Sequence, residues 1–237
     1  MRVRKFLHSC LLVEKGGDRI LFDPGKFSFA TPAATSADAA AAPPQAGGEL
    51  RPAEFVGLTA VIITHSHPDH MDDEALKVIM RINPQAVLLG NAGVAAALQD
   101  RDLKVELFEE GRRAIGEFSL EAFEARHEKI VSAAIPPNTA YIVDERLLNP
   151  GDSYAYSLDA LRGKFDTLAL PVMAPWCTET DTVGFAGRMN ARRVLPIHDG
   201  YVKNFFLRMR YDNFENHFRA QGVTFEQLEK AGDEVEV

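Results

Sequence analysis

The sequence predicts a layered α/β fold, because short apolar runs typical of strands alternate with amphipathic runs typical of helices. This mixture occurs in both halves of the chain, which therefore have comparable organisation. A length of 237 residues suffices for one substantial core. We therefore expect a single α/β domain over residues 1–237, whose two halves are consistent with a four-layer αββα sandwich.

The elements follow from local patterns of apolar residues. Strand-like runs cover residues 3–7, 11–14, 19–22, 60–64, 86–89, 118–125, 139–143, 167–170 and 193–197. Helical patterns cover residues 73–82, 94–99, 178–189 and 204–221. The helix at 73–82 has a clear start, because Asp72 and Asp73 stand directly before its apolar-periodic run.

Residues 30–48 interrupt this pattern, because alanine, proline, serine and threonine dominate there and continue neither a helix nor a strand. We expect a long surface loop at this point. A loop of this length in a compact domain is often either disordered or a lid over a site. Its position after Asp23 is compatible with a lid.

The composition is that of a soluble globular protein, with 46% hydrophobic and 25% charged residues. No apolar run approaches the roughly 20 residues of a membrane span, so we expect no membrane anchor. The formal net charge is −8 and the basic residues form no long stripe, so we expect no nucleic-acid partner. Only two cysteines, and only a brief apolar stretch after the basic start, predict a cytoplasmic location.

The segment His-Ser-His-Pro-Asp-His, which ends at His70, carries the strongest chemical signal in the chain. It places three imidazoles and one carboxylate within six positions, directly after an apolar run. In an extended segment His65 and His67 point to the same side, while Asp69 and His70 follow at a turn and can approach a neighbouring point. Imidazole and carboxylate are metal ligands, so this strand-to-helix connection predicts metal binding and can supply the first ligands of two metal sites.

Two metal ions need further ligands, and three other residues are suitably placed. His127 and His198 each follow a short strand-like run, as His65 does. Asp152 lies in an Asn-Pro-Gly-Asp-Ser turn, where Gly151 allows the backbone to bring a carboxylate close to another group. Each of these residues taken alone is more often structural than catalytic, so their significance depends on the whole set.

Taken in order, the motif at 65–70 followed by His127, Asp152 and His198 resembles the metallo-β-lactamase superfamily. The resemblance covers most of the chain, and its flanking segments at 6–10, 20–25 and 195–200 are similar to the branch of ascorbate-6-phosphate lactonase-like metal-dependent hydrolases. It implies an αββα sandwich of the metallo-β-lactamase type, with a metal site at one edge between the two sheets.

The resemblance also implies a role for each ligand. A first metal ion would be held by three histidines, a second by two histidines and one aspartate, and one further aspartate would bridge the ions. In that order the residues are His65, His67 and His127, then Asp69, His70 and His198, then Asp152.

Two residues before the motif are further candidates. Asp23 matches an acid of the superfamily that accepts a hydrogen bond from a ligating imidazole. A carboxylate that caps the turn before Pro24 is an equally good interpretation of Asp23. His8 stands where this branch often has a histidine, but we assign it no definite role and expect a strand-end histidine with satisfied hydrogen bonds.

These residues lead to the hypothesis of a binuclear metal-dependent hydrolase, in which a hydroxide that bridges two divalent ions attacks the substrate. Asp69 would be the catalytic residue that orients the nucleophile and shuttles its proton. Zinc is the first choice of metal, with manganese and iron as alternatives. Two dications, two carboxylates and one hydroxide sum to about +1, which suits an anionic small molecule.

The resemblance alone suggests a small ester, lactone or phosphoester as the substrate, and association into a homo-oligomer stays open. Two other functions compete with hydrolysis. An iron-binding oxidoreductase on the same fold would use much the same histidine and aspartate ligands. A non-catalytic binding module is the second alternative, and it is disfavoured because all seven expected ligand positions hold a suitable residue.

Overall fold

The computed structural model describes residues 1–29, 50–131 and 134–237, so the predicted loop at 30–48 lies outside the described residues. In chain order the strands are β1 (Arg2–Lys5), β2 (Leu11–Lys15), β3 (Asp18–Phe22), β4 (Ala60–Ile62), β5 (Val87–Gly90), β6 (Val105–Leu107), β7 (Gly111–Ile115), β8 (Phe118–Glu124), β9 (Thr139–Val143), β10 (Leu147–Asn149), β11 (Thr167–Pro171), β12 (Arg193–Ile197), β13 (Thr224–Phe225) and β14 (Glu234–Glu236). The α-helices are α1 (Asp73–Ile82), α2 (Ala92–Leu98), α3 (Glu179–Met189) and α4 (Asn204–Ala220).

The strands form two mixed seven-stranded sheets. The first has the order β14-β1-β2-β3-β4-β5-β6, and the second has the order β13-β12-β11-β10-β9-β8-β7. Within each sheet four neighbouring strands pair in parallel, namely β3, β4, β5 and β6 in the first and β10, β11, β12 and β13 in the second. The two halves of the chain therefore build the two sheets, apart from the short strand β14 at the C-terminal end.

Side-chain alternation along β3 shows how the layers form. Ile20 and Phe22 are fully buried in the core between the two sheets, while Leu21 points the other way and packs with Leu76 of α1 and Val94 of α2. Successive side chains of a strand point to opposite faces, so a strand that is apolar throughout serves two cores.

The second sheet has a matching outer core. Phe185 of α3 and Phe214 of α4 pack with Leu168 of β11, and each of these side chains is almost completely buried. The order of layers is therefore α1 and α2, first sheet, second sheet, α3 and α4. This confirms the predicted αββα sandwich. None of the described helices combines the length and the apolar character that crossing a bilayer requires.

The helix starts agree closely with the sequence patterns. Asp72 caps α1, since its side chain accepts from the backbone N–H groups of Glu74 and Ala75. Thr178 and Asp181 form a capping box at the start of α3. The pattern at 94–99 corresponds to α2, which begins two residues earlier because Asn91 caps it.

The sequence patterns miss five strands, and four of these lie at sheet edges. The edge strands β6, β7, β13 and β14 carry charged or half-buried side chains, so they lack the apolar alternation that marks a strand. The fifth, β10, is buried but has only three residues. Its pairing with β9 and β11 defines it, which is a non-local property.

Candidate metal centre

Every predicted ligand lies just beyond the carboxyl end of a strand. The strands β1, β3 and β4 run in one direction in the first sheet, and β8, β10 and β12 share a direction in the second. The segments after these strands therefore meet between the sheets. They supply His8 after β1, Asp23 after β3, the motif at 65–70 after β4, His127 after β8, Asp152 after β10 and His198 after β12.

The potential ligands fall into two groups, and within each group the ligand atoms lie within 4.8 Å of one another. The first group has three histidines and one aspartate, namely His65, His67, His127 and Asp152. The second has the same composition, namely His8, Asp69, His70 and His198. The structure thus brings together all seven residues predicted as ligands, with Asp152 in the first group, and adds His8 to the second.

Asp152 lies between the two groups. Its Oδ2 atom is 3.5 Å from His127 Nε2 and 3.9 Å from His65 Nε2 of the first group. The same oxygen is 3.0 Å from His198 Nε2, and Oδ1 is 3.2 Å from His70 Nε2. Asp152 is 2% exposed, and the left-handed backbone of Gly151 (φ 58°) turns the chain toward the site, as the turn predicts.

The hydrogen bonds of the rings decide which nitrogen faces the site. The Nδ1 atoms of His127 and His198 lie 2.6 Å from the backbone oxygens of Glu128 and Met173, which only accept hydrogen bonds. The Nδ1 atom in each ring therefore carries the proton, and Nε2 points into the ligand group. His67 is turned the other way, since its Nε2 atom lies 3.3 Å from a backbone oxygen and its Nδ1 atom faces His127.

Two buried atoms of the site have no hydrogen-bond partner among the described residues. They are Nε2 of His65 and Oδ1 of Asp152. An unpaired buried polar atom is costly, and it calls for an explanation such as a bound ion. Imidazole nitrogens and carboxylate oxygens that converge in a buried site are a donor set for a divalent cation. The residues present therefore fit a metal.

Asp23 orients the imidazoles of His65 and His70 through their Nδ1 atoms. His70 Nδ1 donates to Asp23 Oδ2 over 2.9 Å. The hydroxyl of Thr64 also donates to Asp23 Oδ2, at 2.8 Å, so its oxygen accepts from His65 Nδ1 at 3.1 Å. The buried carboxylate thus orients His70 directly and His65 through Thr64, and both rings present Nε2 to the ligand groups. The same contacts place Asp23 where the resemblance predicted it.

The electrostatics of the site favour positive charge. Burial lowers the pKa of His198, but the carboxylates of Asp152 and Asp69 together outweigh burial and raise it to about 9. The same competition, with Asp152 and Asp23 as the acids, raises the pKa of His70. Burial would raise the pKa of Asp152, but His198 and His70 hold it well below its usual range. Without metal, protons on His70 and His198 supply the positive charge that the carboxylates attract.

Three side chains contact Asp69 or Asp152, and the sequence patterns predicted none of these contacts. The structure places His8 within 3.1 Å of Asp69, although we expected only a satisfied strand-end histidine. The hydroxyl of Tyr201 donates to Asp69 at 2.7 Å, and Trp176 Nε1 donates to Asp152 at 3.3 Å. The position of His8 at a strand end was the available signal. For Tyr201 and Trp176 the sequence offers no such signal.

Two adjacent groups of buried imidazoles and carboxylates, placed between the sheets of an αββα sandwich, define a metal-binding protein of the metallo-β-lactamase type. Residues 2–198 match the family model of the β-lactamase superfamily domain. The chain therefore belongs to this superfamily, as its motif predicts. The narrower similarity to the ascorbate-6-phosphate lactonase-like branch stays a prediction.

A curated relative and several solved structures agree with this assignment. Protein Rv0786c of Mycobacterium tuberculosis is 32% identical over 209 residues, which cover 85% of each chain. Igni18, a metallo hydrolase from Ignicoccus hospitalis, has a TM-score of 0.69 at 17% identity and covers 99% of this chain and 97% of its own. The diiron β-hydroxylase CmlA from Streptomyces venezuelae has a TM-score of 0.63 at 16% identity, covering 100% of this chain and 54% of its own. These two structures share the fold.

Proposed function

We propose that this protein is a binuclear metal-dependent hydrolase that acts on a small ester, lactone or phosphoester with an anionic group. The position of Asp152 carries the proposal, because its carboxylate faces imidazole nitrogens of both ligand groups. A carboxylate shared by two ligand sets suits two neighbouring cations. Membership of the superfamily and the fold shared with a metallo hydrolase support hydrolysis.

The two ligand groups would hold one divalent cation each. The first cation would bind to His65, His67 and His127, the second to Asp69, His70 and His198, and Asp152 would contact both. When bound, such cations lower the pKa of a water molecule and polarise the oxygen of the scissile group. Zinc is the expected metal, with manganese and iron as alternatives for a set of imidazole and carboxylate ligands.

Asp69 is placed to orient the attacking water and to take its proton. Burial would raise the pKa of Asp69, but hydrogen bonds with His198 and His8 hold it well below its usual range. The carboxylate is therefore ionised and can accept a hydrogen bond from water. Asp69 is also 8% exposed, against 2% for Asp152, so it retains some contact with the solvent side of the site.

A cleft of about 720 Å³ adjoins the first ligand group and supports an anionic substrate. His127 and Trp176, which contact Asp152, form part of its wall, so a molecule in the cleft reaches the metal ligands. Arg126, Lys129 and Arg188 line it together with the carboxylates of Glu128 and Asp181, so basic side chains outnumber acidic ones there. Arg126 and Lys129 form no ion pair with another described residue. A carboxylate or phosphate of the substrate would pair with these two cations.

A second cleft, of about 550 Å³, lies on the other side of His127 and has the opposite character. Glu109, Glu110 and Glu124 line this second cleft together with Arg126, which also lines the first, so acidic side chains outnumber basic ones there and the cleft would repel an anion. The first cleft is therefore the proposed substrate site.

Both cysteines are free thiols, which supports a reducing compartment such as the cytoplasm as the place of action.

Metal content tests the proposal most directly. Protein purified without added metal and without a histidine tag should contain near two zinc or manganese ions per chain by elemental analysis. The variant that combines His67→Ala and His198→Ala removes one ligand from each group and should lose both. His217→Ala is the matched control, because this histidine lies on α4 outside both groups.

Other metal contents would change the conclusion. Mainly iron, with a visible charge-transfer band and oxygen consumption, would favour the oxidoreductase that shares this fold. No metal after reconstitution would exclude both enzymes and leave a binding module.

The substrate class is tested separately with Arg126→Gln and Lys129→Gln, which should raise KM for anionic esters and leave KM for neutral esters unchanged. Arg192→Gln, a change at an exposed arginine outside the cleft, is the control.

A further inference from the structure

His8 lies in the second ligand group, but its ring is hydrogen-bonded in the opposite sense to those of His127 and His198. The backbone N–H of Gly200 donates to His8 Nδ1 over 3.0 Å. A ring nitrogen that accepts a hydrogen bond carries no proton, so the proton of the neutral ring is on Nε2. In His127 and His198 the proton is on Nδ1 and Nε2 faces the ligand group.

The protonated nitrogen of His8 faces a carboxylate. His8 Nε2 lies 3.1 Å from Asp69 Oδ2, and the hydroxyl of Tyr201 donates to the same oxygen at 2.7 Å. Among the described residues, none donates to Asp69 Oδ1. The same Oδ2 atom lies 3.4 Å from His198 Nε2 and 3.8 Å from His70 Nε2, so it is the oxygen that faces the second ligand group, and two donors on it restrict rotation of the carboxylate.

The protein holds the His8 ring firmly. His8 is fully buried and has a left-handed backbone (φ 62°), and its carbonyl oxygen accepts from the backbone N–H of His198 at 3.1 Å. Gly200 packs closely against the ring, because a Cβ atom at this position would lie 3.1 Å from His8 Nδ1 and would displace the ring by a few tenths of an ångström. The ring therefore has little freedom to turn Nδ1 toward a metal.

This geometry leads to an inference that rests on the proposed function. We propose that His8 is a positioning residue and not a metal ligand: its Nε2–H group, together with the hydroxyl of Tyr201, orients Asp69 toward the attacking water. A proton on Nε2 removes the lone pair that a ligand would need. The hydrogen bond instead stabilises the ionised carboxylate at the orientation that the reaction uses.

Two substitutions separate the two hydrogen bonds of the ring. In His8→Asn the amide oxygen can replace Nδ1 as acceptor for Gly200, but the donor to Asp69 is lost. In His8→Gln the amide nitrogen can replace Nε2 as donor to Asp69, but the acceptor for Gly200 is lost. We expect His8→Asn to lower kcat about 10- to 100-fold with little change in KM, the effect of losing one hydrogen bond to a charged group. His8→Gln should retain most of the activity.

Two further readouts separate positioning from a merely structural role. Metal content should be unchanged in His8→Asn, whereas His70→Ala should lose metal. The acidic limb of the kcat profile should shift to higher pH in His8→Asn, because Asp69 loses a donor that favours its ionised form. Tyr201→Phe should shift it in the same direction, and His217→Asn should not.

The tautomer itself is measurable on the wild-type chain. Nitrogen-15 NMR of histidine-labelled protein should show one buried ring protonated at Nε2 that disappears in both His8 variants. A His8 ring protonated at Nδ1, loss of metal in His8→Asn, or full activity of His8→Asn would each overturn the proposal. If the wild-type chain bound no metal, the proposed function would fail, while the NMR spectrum would still decide the tautomer.

Discussion

Lys5 and Asp199 form a buried ion pair that joins the two sheets behind the metal centre, with Nζ 2.6 Å from Oδ2. Lys5 ends β1, three residues before His8, and Asp199 directly follows His198. Leu228 O accepts from the ammonium and the hydroxyl of Tyr211 donates to the carboxylate, so both charges are hydrogen-bonded as well as paired. The pair thus fixes the two strand ends that carry His8 and His198.

Asp199→Asn should destabilise the protein strongly, because it leaves the Lys5 ammonium buried without its counter-charge. We expect the free energy of unfolding to fall by about 3–5 kcal/mol, measured by urea denaturation of the metal-free protein. Glu54→Gln is the control, because its partner Arg51 is 75% exposed, and it should change stability by no more than about 0.5 kcal/mol. Equal losses in the two variants would contradict this role of the buried pair.

Asp23→Ala should weaken metal binding, because His70 and His65 both lose the carboxylate that orients them. We expect the affinity to fall about 10- to 100-fold, measured by competition with a chromophoric chelator. Asp72→Ala should cost about 1 kcal/mol of stability through loss of the α1 cap, with no change in metal affinity. Unchanged affinity in Asp23→Ala would leave this carboxylate only its alternative role in the turn before Pro24.

Tryptophan fluorescence should report metal binding, because Trp176 is the single tryptophan of the chain and donates to Asp152. A cation on Asp152 changes the charge beside the indole N–H, so we expect emission to change until the site is saturated. A chelator should reverse the change, and Trp176→Phe should abolish it. Constant emission, with elemental analysis showing bound metal, would refute the expected contact.

The metal-free protein should lose stability as the pH rises from about 6.5 to about 9. Asp152 and Asp69 together raise the pKa of His198 to about 9 against the burial of the ring. A raised pKa in the folded state stabilises below the unfolded value of 6.5, and this stabilisation is lost as the pH rises through 9. The loss should be about 3 kcal/mol, measured by urea denaturation in the presence of a chelator.

Metal should remove this pH dependence. Because bound cations displace the protons of His70 and His198, metal affinity rises with pH and offsets the loss seen in the metal-free protein, so the loaded protein should keep nearly constant stability over the same range. His198→Gln removes the titrating ring, so the metal-free variant should show a flatter profile. A metal-free wild type that became more stable between about pH 6.5 and 9 would contradict the proton occupancy derived from the site.

The ligand set was predictable because most of its signal is local. The motif at 65–70 concentrates three imidazoles and a carboxylate in one connection, and Gly151 marks the turn that brings Asp152 inward. The helix caps at Asp72 and Thr178 are local as well. Edge strands such as β14 were not predictable, because pairing with β1 defines this strand and its Glu-Val-Glu sequence carries no strand pattern.

The sequence by itself therefore indicated a layered α/β fold and the candidate ligands along the chain, because apolar periodicity and residue chemistry are local properties, while the αββα type and the roles of the ligands followed from the resemblance to the superfamily. Only the tertiary structure decided how the side chains meet. The contact of Tyr201 with Asp69 spans 132 positions, and the hydrogen bond from Gly200 to His8 spans 192. Which nitrogen of a histidine carries the proton depends on such distant partners, so the role of His8 became visible only when the two sheets were placed together.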